Sequence, residues 1–144
     1  MLHTKLFLLI VLSTTAFAGC LAQNSKQTIV VSNIKSKKGQ LMIGLYNNET
    51  SYNEKKNPIF KKKVAIDRQS QVSVVFDNIP SGKYAISVYL DENENNEMDT
   101  NFLGIPKEQY GFSNNVLPAT RAANFNEAVF EITNKSEEIP IRLK

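Results

Sequence analysis

Five acids and four asparagines fall between Asp91 and Asn101, in the run "DENENNEMDTN". Their spacing is that of a cation-binding loop. Asp91, Asn93 and Asn95 occupy the first, third and fifth places of the calcium-loop pattern D-x-[DN]-x-[DN]-G-x5-E, and Asp99 takes the ninth. Oxygens on alternate residues of a curling backbone converge on one point, as a hard cation with about six to eight ligands requires. Glu97 stands at the seventh place, where the ligand is a backbone carbonyl. Asn96 replaces the usual Gly at the sharp bend and, after Gly, is the residue that best tolerates left-handed geometry. The pattern fails at its twelfth place, where Phe102 stands instead of a bidentate Glu. Either the site is weak, with a Kd of about 10⁻⁴ to 10⁻³ M, or another carboxylate closes the shell, and Glu108 is the nearest. The ligand set is therefore Asp91, Asn93, Asn95, Glu97, Asp99 and Glu108, and the cofactor it suggests is calcium, whose loose shell accepts amide and carbonyl oxygens more readily than magnesium's. The competing reading is a metal-free loop built on Asx turns.

The continuation "FLGIPKEQYGFSNN" is too long for a simple turn, so it either packs down or binds something. Phe102, Leu103 and Ile105 are expected to cover an open sheet edge. Tyr110, Phe112, Asn114 and Asn115 form a candidate ligand surface for a sugar or peptide, against the alternative that the two aromatics are local core. No catalytic residues are assigned. The chain has one histidine, His3, one cysteine, Cys20, and no tryptophan. Beyond its first residues it therefore carries no disulfide, no thiolate or imidazole zinc site and no Ser-His or Cys-His pair. Glu97 and Glu108 could in principle do glycosidase work, although that chemistry needs a deeper cleft than one small sandwich offers.

These residues must be positioned by strands. "QTIVVSNI", "GQLMIGLYN", "PIFKKKVAID", "QVSVVFDNI", "KYAISVYLD", "AVFEITN" and "EEIPIRLK" are short apolar runs with period-two alternation, separated by turn residues. Their inward positions include Leu41, Ile43 and Leu45, then Val72, Val74 and Phe76, then Tyr84, Ile86, Val88 and Leu90. Seven strands without a long amphipathic helix predict an all-β fold, a seven-stranded Greek-key β-sandwich with one long Asp/Asn-rich loop. "NFNEAVF" is expected to hold one helical turn. No repeat or linker suggests a second domain, so residues 23–144 read as a single β-sandwich.

The first 22 residues read as a secretory signal: Lys5, an apolar run from Leu6 to Leu12, then small residues. Ala16-Phe17-Ala18 and Cys20-Leu21-Ala22 both fit a cleavage site. "FAGC" instead resembles a bacterial lipobox, which would end the signal before Cys20 and acylate that residue. The protein is accordingly expected to be exported: periplasmic, extracellular, or held at the outer membrane if lipidated, with a lipid on Cys20 as its only route to a membrane. The net charge is a modest +3. The lysines of "EKKNPIFKKK" read as a solvated strand edge that blocks sheet-to-sheet association rather than a nucleic-acid site.

The segment "PSGKYAISVYLDENENNEMDTNFLGIPKEQYGFSNN" closely resembles the hallmark of a family of small secreted bacterial proteins known as a domain of unknown function, number 2141. Gly82, Tyr84, Ala85, Asp91, Asn93, Asn95, Asp99, Asn101, Gly104, Pro106, Glu108 and the run Tyr110 to Asn115 match it, and Asn96 departs from its Gly. The resemblance implies an exported single domain with a prealbumin or Cna-B-like β-sandwich, and no established activity. The loop is also similar to the calcium loops of surface-adhesin repeats. The function expected is a non-catalytic, calcium-stabilised cell-envelope binding or structural module with an unidentified envelope or extracellular ligand. The alternative is a carrier or carbohydrate-binding domain that uses the 102–115 loop.

Overall fold

The computed structural model describes residues 25–144, and the expected signal segment with Cys20 lies outside the described residues. The chain is mostly β, in two sheets. The strands are β1 (Ser25–Ser32), β2 (Gln40–Tyr46), β3 (Phe60–Ala65), β4 (Gln71–Ile79), β5 (Gly82–Asp91), β6 (Tyr110–Phe112), β7 (Phe130–Ile132) and β8 (Glu137–Arg142). Short helices α1 (Glu49–Glu54) and α2 (Phe125–Ala128) follow β2 and precede β7. One sheet has the order β4-β1-β8, with β1 antiparallel to β4 and parallel to β8. The other runs β3-β2-β5-β6, and β7 pairs with β5 beyond β6.

Seven of these strands fall on the seven apolar runs of the sequence. The eighth, β6, lies within the segment expected to be loop. Three residues are too short to show an alternation, and their pairing with Ser87 to Tyr89 of β5 holds them in the sheet. Helix α1 likewise has no counterpart in the sequence pattern. It has only six residues and one buried side chain, Tyr52, so no helical stripe is visible. Its start is set by Asn48, whose side chain accepts from the Ser51 N–H at 2.9 Å. The expected turn in "NFNEAVF" is α2, opened by a capping box between Asn124 and Glu127.

The residues between the sheets alternate as period two demands. Ile29 and Val31 of β1, Val72, Val74 and Phe76 of β4, and Ile141 of β8 meet Leu41, Ile43, Leu45, Ile86, Val88 and Leu90 of the other sheet. The five-stranded sheet is also covered in part on its far face. There Tyr46, Tyr52, Ala85, Phe112, Ala123 and Ala128 form a second apolar cluster under α1 and α2. Strand β5, flanked on both edges and covered on both faces, is buried along most of its length.

Strand β3 is the sheet edge that the lysine run suggested. Lys61 and Lys63 share the outer face with Gly44 and Met42, their register partners. Lys62 lies on the inner side, where its ammonium contacts the Val75 carbonyl and sits 5.2 Å from the Phe76 ring. Its stem thus shields the core edge while its charge is held by an acceptor and an aromatic face.

Gly111 of β6 faces the opposite sheet. A Cβ there would lie 2.9 Å from the Arg142 carbonyl oxygen and 2.9 Å from a methyl of Ile141. The sheets approach too closely at this point for any side chain. Gly111→Ala is therefore expected to lower stability by about 1–3 kcal/mol in urea melts. Gly82→Ala, whose Cβ would make only ordinary contacts from 3.4 Å outward, is expected to fall within about 0.5 kcal/mol of the parent.

Candidate functional site

Strand β5 ends in Asp91, whose carboxylate is fully buried. Oδ1 accepts from the Asn95 N–H at 3.1 Å, and Oδ2 from the Asn96 N–H at 2.9 Å and the Gln40 side-chain amide at 3.0 Å. Burial alone would raise its pKa. The hydrogen bonds from Gln40 and from the backbone of Asn96, Asn95 and Glu94 outweigh that and hold it below the usual carboxylate range. Glu94 and Asn96 both take the left-handed conformation, with φ of 61° and 68°. Asn96 thus makes the bend for which the calcium pattern uses Gly. Gly39 lets the chain approach this corner: its φ is +104°, and a Cβ on it would lie 2.5 Å from the Asp91 carbonyl oxygen.

The residues at the first, third, fifth and ninth places come together. The Asn95 N–H lies 3.1 Å from both Asp91 Oδ1 and Asn93 Oδ1. The Asn93 and Asn95 side-chain amides donate to Asp99, at 2.7 and 3.2 Å. Asn95 Oδ1 accepts from the Glu97 N–H at 2.8 Å, while the Glu97 side chain is exposed. Among the described residues no three carboxylate, imidazole or thiol side chains form a metal-binding group. The donors are nonetheless all oxygens once the amides of Asn93 and Asn95 turn, which is the chemistry a hard cation takes.

Glu108, expected to close the cation shell, also has a structural role. It is buried, and its two oxygens accept from the Glu92 N–H at 2.9 Å and the Asp99 N–H at 3.0 Å. It staples the two arms of the loop together. Beyond it, Asn101 builds the loop tip: its side-chain oxygen accepts from the Leu103 and Ile105 N–H groups at 2.9 and 3.0 Å. The result corrects the expected burial of the tip. Phe102, Leu103 and Ile105 do not cover a sheet edge but stand 94, 68 and 54% exposed.

Beside this loop, on the outer face of the five-stranded sheet, lies a cleft of about 910 Å³. Its floor is the outward side of β2, β5 and β6, with Met42, Tyr46, Tyr89, Tyr110 and Phe112. The loop forms one wall through Asn96, Met98 and Ile105, and residues 119–122 form another. Loop and floor are joined where the Tyr89 hydroxyl donates to the Asn96 carbonyl at 2.9 Å. Burial, then the charges of Asp91 and Glu108, push that phenol up to about 12. Lys55 closes one end. It caps α1 in the left-handed conformation, φ 54°, and its ammonium donates to the Tyr52 carbonyl at 2.7 Å, 3.5 Å from the centre of the Tyr52 ring. Burial lowers its pKa to about 8.

The four residues of the expected ligand surface therefore divide. Tyr110 and Phe112 line the cleft, although Phe112 is only 4% exposed and belongs mainly to the second apolar cluster. Asn114 and Asn115 are exposed but lie outside the cleft, and their side chains tie segments together. Asn114 donates to the Glu127 and Val129 carbonyls, and Asn115 donates to the Pro140 carbonyl and accepts from the Arg142 N–H at 2.7 Å. Their φ values of 60° and 52° suit asparagine. Buried Ser113 completes the knot, accepting from the Ile86 N–H and donating to the Ala128 carbonyl. The sequence reasoning did not find the rest of the cleft floor. The available signal was Met42, Tyr46 and Tyr89 on the supposed solvent face of β2 and β5.

A family model described as "Uncharacterized protein conserved in bacteria (DUF2141)" matches residues 29–140. No curated protein and no solved structure matches the chain.

Two outcomes follow from this geometry. Glu108→Gln sets an N–H₂ group against a backbone N–H and removes a charge-assisted acceptor, so urea melts should show a loss of about 2 kcal/mol, with or without a chelator present. For Lys55, the folded chain releases its proton near pH 8 while the unfolded chain holds it to the usual 10.5. The unfolded state then binds more protons in that interval, so stability rises with pH. The rise should run from about pH 8 to 10, above which the raised phenols of Tyr46, Tyr84 and Tyr89 oppose it. Thermal melts of Lys55→Met should lack the rise.

Proposed function

Because the chain belongs to the bacterial family DUF2141, we propose that it is an exported, non-catalytic ligand-binding module of the cell envelope. Its cleft is the working surface, and its 91–108 loop is a calcium-stabilised wall of that cleft. One observation carries the reading: the outward face of β2, β5 and β6 bears aromatic and thioether side chains in a cleft of about 910 Å³, within the range of small-molecule sites. The sheet order, with β1 between β4 and β8 and β2 between β3 and β5, supports a Greek-key sandwich of the prealbumin or Cna-B kind. The alternative of a carrier or carbohydrate-binding domain merges with this reading, since the 102–115 segment gives Tyr110, Phe112 and Ile105 to the same cleft beside Met42, Tyr46 and Tyr89.

Calcium would be held by oxygens of Asp91, Asn93, Asn95 and Asp99 and by the Glu97 carbonyl. It would supply a fixed charge between acids that the Asn93 and Asn95 amides otherwise bridge. A glycosidase is disfavoured because Glu108, the partner of Glu97 in such a scheme, has both oxygens engaged by backbone N–H groups. The cleft lining holds no carboxylate. Export follows the pattern of residues 1–22, with the fate of Cys20 deciding between an anchored and a soluble form.

Scanning calorimetry tests the metal. With a Kd of about 10⁻⁴ to 10⁻³ M, about 10 mM calcium should stabilise the protein by roughly 1.4–2.7 kcal/mol. Asp99→Asn should abolish the gain. Identical melting in calcium and in chelator removes calcium from the reading and leaves the cleft.

A further inference from the structure

The charges around the cleft identify what it takes. Lys55, Lys61, Lys62, Lys63 and Arg121 line it and no aspartate or glutamate does, in a chain whose acids and bases nearly balance. Two of these cations are already engaged. Arg121 is held by Glu127 in a two-point pair at 2.7 and 2.8 Å, and Lys62 is directed to the Val75 carbonyl and the Phe76 ring. The other three have no carboxylate partner among the described residues. Lys55 meets a carbonyl and aromatic rings, Lys63 contacts the neutral side chain of Asn96, and the ammonium of exposed Lys61 has no hydrogen-bond partner among the described residues. Lys55 is also held in a left-handed cap that a glycine would adopt without strain. What that lysine adds is an ammonium at the end of the cleft.

The remaining lining is apolar, with few free polar groups. Met42 and Tyr110 form floor, Met98 and Ile105 form wall, and Leu103 stands exposed at the lip. The Tyr89 hydroxyl and the Asn96 amide oxygen, which could have met a sugar, are spent on the Asn96 carbonyl and on the Lys63 ammonium. An uncharged sugar would leave three cations without counter-charge, and a plain hydrocarbon would do the same.

We propose that the cleft binds a monomeric amphiphilic anion: a single apolar chain along Met42, Tyr110, Met98 and Ile105, with a carboxylate or phosphate head at Lys61 and Lys63 of the β3 edge, and Lys55 adding its charge at the end of the cleft. This rests on the ligand-binding reading above and names the ligand class for the same cleft. An acidic head is drawn to clustered lysines that no protein acid neutralises. The chain is drawn to a groove whose apolar residues are otherwise left to water.

The test uses the mature protein and dodecanoate, dodecyl phosphate, dodecyl maltoside and dodecyltrimethylammonium, each below its micelle concentration. Tyrosine fluorescence reports binding, since Tyr46, Tyr89 and Tyr110 line the cleft and the chain has no tryptophan. Saturable one-to-one binding of both anions is expected, at least tenfold tighter than of the neutral or cationic amphiphile. Shortening dodecanoate by two methylenes should weaken it about tenfold. Lys61→Glu with Lys63→Glu should weaken the anions tenfold or more while leaving the maltoside unchanged, and Ile105→Asp should weaken all chains. These residues are exposed, so thermal melts of the variants should match the parent. Equal binding of all head groups overturns the anion assignment but keeps the cleft. Binding that ignores Ile105→Asp, or no binding of any amphiphile, overturns both. Sedimentation only with phosphatidylglycerol vesicles, without monomer binding, also overturns the proposal, in favour of a bilayer surface.

Discussion

A carboxylate with no solvent contact sits at the corner where the sheet becomes the long loop, and the site depends on how it is satisfied. Among the described residues Asp91 has no cationic side chain as a partner. A charge removed from water without compensation costs several kcal/mol. Here the compensation comes from the Gln40 amide and from backbone N–H groups of the loop itself. The chain must therefore curl back over Asp91 to satisfy it, and the left-handed turns at Glu94 and Asn96 are the consequence. Glu108 repeats the device from the other arm, gripping Glu92 and Asp99. Two buried acids thus shape a polar loop that has no core of its own.

The same economy holds on the far side of the five-stranded sheet. Helices α1 and α2 are too short to stand alone, and each is fixed by an asparagine cap and by the aromatic cluster around Tyr52. The run Ser113-Asn114-Asn115 ties β5, α2 and β8 to one point through side-chain bonds to backbone. Because that knot and the Asp91 corner secure opposite sides of the outer face, the floor between them stays open instead of being filled by the connecting segments.

Much of this was legible from residue pattern. The alternation of Leu41, Ile43 and Leu45, and of Val72, Val74 and Phe76, reports one buried face directly, and the lysines of β3 marked an edge. The convergence of Asp91, Asn93, Asn95 and Asp99 follows from their spacing on a turning backbone. What the pattern hid was contact between distant segments. Gly111 carries no sequence mark of the sheet packed against it, and Asn114 and Asn115 look like any exposed polar pair until their carbonyl partners are known. Phe102 misled because an aromatic in a loop is usually buried. Asn101 spends its side chain on the backbone of the tip and so turns Phe102 outward. The cleft was half visible. Met42, Tyr46 and Tyr89 broke the polar half of the alternation, and an apolar residue on both faces of a strand means that something covers the second face.

Loop and cleft are one mechanical unit. Asn96 touches Lys63 of the edge strand through its side chain and Tyr89 of the floor through its carbonyl, while its N–H is held by Asp91. The residues that would take a cation are thus joined, within one or two hydrogen bonds, to residues that line the cleft. If calcium orders that wall and an amphiphile rests on it, the two free energies are linked. Whatever factor calcium adds to amphiphile affinity, the amphiphile must add to calcium affinity. A weak metal site would suit such an arrangement, since ion and ligand would each raise the other's modest affinity.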